Sequence, residues 1–291
     1  MKKNRFFEII IYIILFCIIT IPFILSIHKV HNEYLNNQII AENAYKKDCI
    51  NANNSRCYDL KQYYTHPQSY WELLNSTATF YSQNFYALIV ILVLPITLII
   101  CRYFKNNNFT LEMQRKQYPK IINKIILKSY IPSIIFVTSI AICLMVAYFT
   151  TGNTDYNSYL ANFKEKIYNS TLLYSLIYIL KNFLISLIYA NITLISIRKN
   201  KKFIQTTLIT ILSIILIEIA LEVIIGVLLC NIIFNYDDGL IFNIINGLSY
   251  NFDINLTIQI CFLISVFIIS FVILKHVYKN KEKIVIDYEG V

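Results

Sequence analysis

Six uninterrupted apolar stretches, at about 6–27, 86–104, 129–149, 171–197, 203–234 and 256–274, decide what this chain can fold into. A bilayer core of about 30 Å takes roughly 20 helical residues, and each stretch is of that order or longer. Lipid offers no partner to an unpaired backbone group, so a spanning segment is a helix or a strand of a closed barrel. The stretches lack the strict alternation of barrel strands, which leaves helices. The expected fold is therefore all-α: a polytopic membrane protein with six transmembrane helices. Composition agrees, with 57% hydrophobic and 15% charged residues, where a soluble globule carries about a quarter charged.

Basic residues set the expected orientation. Of the 26 Lys and Arg, eighteen fall in the N-terminus, in 102–128, in 198–202 and after 274; seven fall in 28–85 and 150–170, and Lys181 lies inside a span. Both termini are thus expected in the cytoplasm and 28–85 outside. The net charge of +9 reads as a topology signal, and no basic soluble domain is present to bind nucleic acid. Met1-Lys2-Lys3-Asn4-Arg5 before an apolar run also opens secretory signal peptides. The run through Ile27 exceeds the usual signal core and no small-x-small site follows, so it is read as a retained anchor.

The loop 28–85 is the largest polar piece. Residues 30–47 read as a polar helix, followed by turns around 51–55 and at His66-Pro67. Tyr70, Trp71, Phe80, Tyr81, Phe85 and Tyr86 gather at its end, as an interfacial aromatic belt or a cap that touches substrate. Cys49 and Cys57, eight apart on the expected outer side, are sterically able to form a disulfide, though sequence alone does not bring them together. No C-x-x-C pair or His cluster points to a metal. Residues 239–247 in the last outer loop are too short to span and too apolar for water, so a re-entrant or interfacial turn is expected there.

The segment 105–128 carries the most specific pattern. Tyr118, Ile121, Ile122, Ile125 and Ile126 share one helix face, while Lys120, Lys124 and Lys128 share another. Pro119 suits a first helical turn, and a shorter helix over 110–118 would precede it, with Thr110 as N-cap and Glu112 near its positive end. Two short helices with a bend between them, lying at the cytoplasmic membrane surface, are expected; attraction of the lysines to anionic lipid is the simplest role for them.

Lys181, Glu218 and Glu222 are ionisable groups deep inside spans, each costly there if left alone. Counting helix rise from the outer ends puts Lys181 and Glu222 at similar depth on successive helices, so an ion pair between them is expected, with Glu218 deeper and protonated or facing a polar cavity. The pair would serve as glue between helices or as part of a transport site.

No H-E-x-x-H, G-x-S-x-G or glycine-rich phosphate loop occurs, so no catalytic role is expected of this chain. Six spans, both termini inside and an amphipathic cytoplasmic segment between the second and third spans resemble the permease subunits of type-2 ATP-binding-cassette (ABC) exporters of low-GC Gram-positive bacteria. In that family the segment is a coupling helix that docks on an ATPase subunit and carries a glutamate followed by Gly-Thr. Glu112 stands for the glutamate, followed by Arg115 and Tyr118, while the Gly-Thr pair is absent. The resemblance implies a plasma-membrane permease that pairs with a second permease chain and with an ABC ATPase. The chain itself would need no cofactor, with ATP and Mg bound on that ATPase, and its cargo would be an amphipathic peptide, drug or lipid for export. Two other readings compete: a six-span immunity or sensory protein whose outer loop binds a ligand, and a proton-driven carrier built on Glu218 and Glu222.

Overall fold

The computed structural model describes residues 2–49, 55–65, 67–70, 73–74, 77, 85–105, 108–152, 171–199, 202–221 and 256–279. Among them every regular element is helical: α1 (Lys2–Asp48), α2 (Ser55–Thr65), α3 (Phe85–Lys105), α4 (Asn108–Arg115), α5 (Tyr118–Thr151), α6 (Thr171–Lys199), α7 (Phe203–Leu221) and α8 (Leu256–Val277). Five of these, α1, α5, α6, α7 and α8, are long and apolar enough to cross a membrane, and α3 carries a shorter apolar run, Ile89–Phe104. The chain is an all-helical, membrane-embedded protein.

α1 departs from the expected break between a span and a separate polar helix. Nothing from Ile27 to Val30 stops a helix, so the apolar and polar parts form one rod of 47 residues. At 1.5 Å per residue it is about 70 Å long, more than twice a bilayer core, so its polar end stands clear of the membrane. Along the apolar half Leu15, Ile19, Phe23 and Ile27, four apart, face the protein, while Ile9, Ile13, Ile18, Ile21 and Leu25 are exposed on the outer surface. A helix apolar all round is one that meets protein on one side and lipid on the other.

α2 folds back on the polar end of α1. Tyr34 meets Tyr63 with ring centroids 5.6 Å apart, and Tyr45 meets Tyr64 at 5.4 Å. The Cys49–Cys57 disulfide closes the hairpin at its far end, with the Cα atoms 5.5 Å apart. Beyond it Tyr70, Leu73, Leu74 and Thr77 are buried against the membrane helices. Tyr70 reaches Ser175 of α6 at 3.0 Å and sets its ring edge-on to Tyr148 of α5. This ring of the expected aromatic belt therefore packs inside the protein rather than at a lipid surface.

α6 is the central helix, packed against α3, α5, α7 and α8. Its spanning portion is 78% buried, against 17% for α7 and for α8. Lipid chains are as apolar as leucine, so helices in a membrane associate through close packing and interhelical hydrogen bonds rather than burial from water. α6 supplies both. Ala190, Asn191, Thr193 and Leu194 have essentially no exposed surface. The Tyr130 hydroxyl of α5 donates to Asn191 Oδ1 at 2.8 Å, and Asn191 Nδ2 donates to Ser270 Oγ of α8 at 2.9 Å, so one side chain ties three helices. The Thr97 and Thr207 hydroxyls, 3.1 Å apart, join α3 to α7.

The second bend lies where α4 meets α5. The stripe Ile121, Ile122, Ile125 and Ile126 is buried, with Phe104, Phe109, Leu194 and Leu274 in the same apolar cluster. Pro119 sits in the first turn of α5, where its missing N–H leaves no helical hydrogen bond unmade. α5 then runs without interruption for 34 residues, so the surface helix and the following apolar span are one element rather than two. It ends at Gly152, whose left-handed backbone, φ 59°, lets its N–H cap the Tyr148 carbonyl at 3.0 Å.

Candidate functional site

Two places gather the charged residues singled out in the sequence. The first is the α4–α5 bend. Glu112, on α4, turns inward: its carboxylate takes a hydrogen bond from Lys124 of α5, and Lys116 lies 3.7 Å away. Tyr103 of α3 adds its hydroxyl beside the carboxylate and its ring beneath Lys124, 5.8 Å from the ammonium. Partial burial alone would raise the Glu112 pKa, but Lys124, Lys116 and Tyr103 outweigh it and hold the group below its ordinary value of 4.5. One turn further along α5, Lys128 pairs with Glu8 of α1 at 2.7 Å, and Arg102 stacks over Phe7 with its guanidinium 4.0 Å from the ring centroid.

Tyr118 is half-buried and donates to the Tyr278 carbonyl just past the end of α8. The Tyr278 hydroxyl in turn donates to the Leu194 carbonyl of α6 at 2.9 Å, and Lys275 donates to Asn123 at 2.7 Å. The bend is therefore anchored to α1, α3, α6 and α8. Of the three residues expected to meet a partner, only Arg115 is exposed; Gln114, Lys116, Gln117 and Lys120 are exposed beside it. Glu112 and Tyr118 brace the bend from inside, and Lys124 and Lys128, expected to form a basic face with Lys120, are drawn inward by carboxylates.

The second place is within the helices. Lys181 is buried on α6 and 3% exposed. Glu222, its expected partner, lies outside the described residues, as does the segment 239–247. Glu218 is described, and it takes a hydrogen bond from the Tyr189 hydroxyl of α6. Tyr189 is eight residues past Lys181, about 12 Å along the axis. Both residues of the pair line a small cleft of about 50 Å³ between α6, α7 and α8, whose other described walls include Ile185, Ile188, Ile214, Ile217, Phe262 and Val266. Of the two alternatives expected for Glu218, protonated or facing a polar cavity, the described walls do not offer the second: among the described residues they are apolar apart from Tyr189 and Glu218 itself.

Sequence reasoning missed Tyr189 and Asn191. Asn191 is a polar residue in an apolar run, and in lipid that is itself a sign of an interhelical hydrogen bond. Tyr189 gave no such sign, because a tyrosine in a membrane helix reads first as an interfacial ring. Among the described residues no group of three or more His, Cys, Asp or Glu gathers as metal ligands would. Comparison of the chain with protein-family models, with curated proteins and with solved structures gives no match.

Proposed function

We propose that the chain is the permease subunit of an ABC exporter, with six spans, both termini in the cytoplasm and 28–85 outside the cell. It would pair with a second permease chain in the plasma membrane, and a separate ATPase would bind ATP and Mg and hydrolyse the nucleotide. The observation that carries this reading is the braced bend. A short helix whose only connection to the membrane domain were a loose loop would absorb a push. This one is clamped through Glu112 to α5, which is the following span itself, so movement at the exposed tip around Arg115 is transmitted into the membrane helices. The disulfide supports the same orientation, since 28–85 then lies in the compartment where disulfides persist.

The test is a mild-detergent pull-down of the tagged chain from its native host, repeated with Arg115→Glu and Lys120→Glu together. A co-purifying ATPase that the double variant loses supports the permease and locates its docking surface. Recovery of no ATPase across several mild extractions overturns it. A sensory or immunity role then becomes the better reading, and the stapled α1–α2 hairpin, with Leu35, Ile39 and Tyr58 exposed on it, is where a ligand would dock.

A further inference from the structure

We infer that the outer face of α1 is one side of a parallel two-stranded coiled coil, and that the other strand is α1 of a second copy of this chain. The inference gives the proposed permease pair an identical partner, yet it rests on α1 alone, since a sensory protein would pair through the same face. It also takes Leu35 and Ile39 out of the surface left open to a ligand, while Tyr58 on α2 stays outside the seam.

The spacing of exposed residues carries the argument. From Ile14 to Ile39 the outward side chains step by four and three in turn, the heptad rhythm of a coiled coil, over nearly four heptads of one unbroken helix. Ile18, Leu25, Asn32 and Ile39 take the a positions, and Ile14, Ile21, His28 and Leu35 the d positions. All eight are exposed, on the side of α1 away from the ridge of Leu15, Ile19, Phe23 and Ile27 that packs against the protein. Leu35 and Ile39 decide between lipid and protein as the cover. Counted from Ile27, where the apolar run ends, they lie about 12 and about 18 Å further along the axis. A headgroup layer adds only about 5 to 8 Å beyond the hydrocarbon, so lipid covers the seam as far as Leu25 and leaves Leu35 and Ile39 in water.

A second copy fits this seam in direction, register and charge. Copies enter the bilayer in the same direction and to the same depth, so two α1 rods meet parallel, each a or d residue opposite itself, as an isologous interface requires. Beyond the membrane the seam reads Asn32, Leu35 and Ile39. Isoleucine at a with leucine at d favours two strands, and asparagine at a fixes their register. Asn32 Nδ2 donates to His28 of its own chain at 3.2 Å, and its Oδ1 is placed to accept from the Asn32 amide of the other copy. The flanking e and g positions that meet across the seam set Ile24 against Lys29, His31 against Asn36 and Gln38 against Asn43, so no like charges oppose one another. The area is sufficient as well. The six apolar seam residues each expose between 43% and 62% of their surface. That is about 600 Å² per chain, so two chains bury about 1,200 Å² before flanking residues are counted, the lower bound of a stable interface.

The test is disulfide trapping in native membranes, with two differently tagged copies of the full chain expressed together and wild type as the blank. Asn32→Cys, Leu35→Cys and Ile39→Cys place a thiol in the seam, whereas Glu33→Cys and Asn37→Cys place one on exposed positions pointing away from it. A disulfide needs Cα atoms within about 7 Å, so only residues that meet their own copies are bridged. After mild oxidation, a cross-link carrying both tags is expected at the three seam positions, at least tenfold above the two others. Adding Leu35→Glu and Ile39→Glu to Asn32→Cys sets like charges in two adjacent layers, at positions exposed in the single chain, and is expected to lower that cross-link at least tenfold. Equal cross-linking at all five positions, none at the seam, or no effect of the two glutamates overturns the proposal. A seam cross-link to a chain of different mass overturns it too, and assigns the face to another protein. None of these outcomes bears on whether an ATPase docks at Arg115.

Discussion

Glu112 and Lys124, twelve residues apart on two different helices, face each other across the α4–α5 bend and share a hydrogen-bonded ion pair. The side chains are 22% and 40% exposed, so the pair is neither a solvent-screened surface contact nor a fully desolvated one. A coupling of about 1 kcal/mol is expected for such a pair, between the values for exposed pairs and for hydrogen bonds to buried charges. A double-mutant cycle of Glu112→Gln and Lys124→Gln, read by thermal unfolding in detergent, measures it; additive effects would show that the pair does not hold the bend.

The pH dependence of that clamp has a definite sign. Glu112 is held below its ordinary value of 4.5, so the unfolded chain takes up its proton first as pH falls. Its stabilisation is complete above the ordinary value and is lost as pH falls through the lower folded value. The difference in thermal midpoint between wild type and Glu112→Gln is therefore expected to be constant near neutrality and to close only below about 4.5. A difference that closes well above that value would mean the carboxylate is not held by its lysines.

The three-helix tie at Asn191 predicts an ordering of stabilities. Asn191→Leu removes both interhelical hydrogen bonds and leaves the Tyr130 hydroxyl without its partner, whereas Ser270 retains its bond to the Phe267 carbonyl. Interhelical hydrogen bonds in membranes are worth about 0.6 to 2 kcal/mol each. The expected order of loss is Asn191→Leu first, then Tyr130→Phe, then Ser270→Ala, measured by unfolding in mixed detergent micelles. Equal small effects for all three would assign the association of these helices to packing alone.

Reduction of the hairpin tests its placement as well as its strength. The disulfide closes a loop with a sequence separation of 8, for which chain entropy gives about 2 to 3 kcal/mol. Loss of that constraint is expected to free the tip of the α1–α2 hairpin to proteolysis while the membrane helices stay resistant. In intact cells a membrane-impermeant maleimide is expected to label a Cys230→Ser chain only after reduction, because Cys17, Cys101, Cys143 and Cys261 lie on the apolar segments α1, α3, α5 and α8. Labelling that requires lysis would invert the proposed orientation.

What the sequence made legible, and what it did not, follows from the reach of periodicity. A repeat of apolar residues defines the faces of one helix, and so the stripe from Ile121 to Ile126 and the helices themselves were readable. It does not say how two helices face one another, and so Glu112 looked like an exposed docking residue until α5 placed Lys124 opposite it. Length along α1 was misjudged for a related reason: the change from apolar to polar residues after Ile27 marks where a solvent changes, not where a helix ends. Glu218 was visible as a charge in an apolar run, but the character of the space beside it depends on which faces of α6 and α8 turn toward α7.

The pair Glu8–Lys128 offers the most direct check on how α1 is held. α1 and α5 pack along one another, and at their basic ends the two charges meet at 2.7 Å with side chains 23% and 24% exposed. A single reversal, Glu8→Lys or Lys128→Glu, puts two like charges at that distance and removes a charge-assisted hydrogen bond worth about 1.5 to 3 kcal/mol. The stacked Arg102 and the Tyr103 ring beside Lys128 are undisturbed by exchanging the two signs across α1 and α5, except that the cation then sits on α1. The exchanged pair, Glu8→Lys with Lys128→Glu, is therefore expected to recover most of the thermal midpoint lost by either single variant, short of wild type by the contact between Lys128 and Tyr103. If the exchanged protein is as unstable as the sum of the two reversals, the pair is incidental to the seating of α1, and the apolar ridge of Leu15, Ile19, Phe23 and Ile27 holds that helix alone.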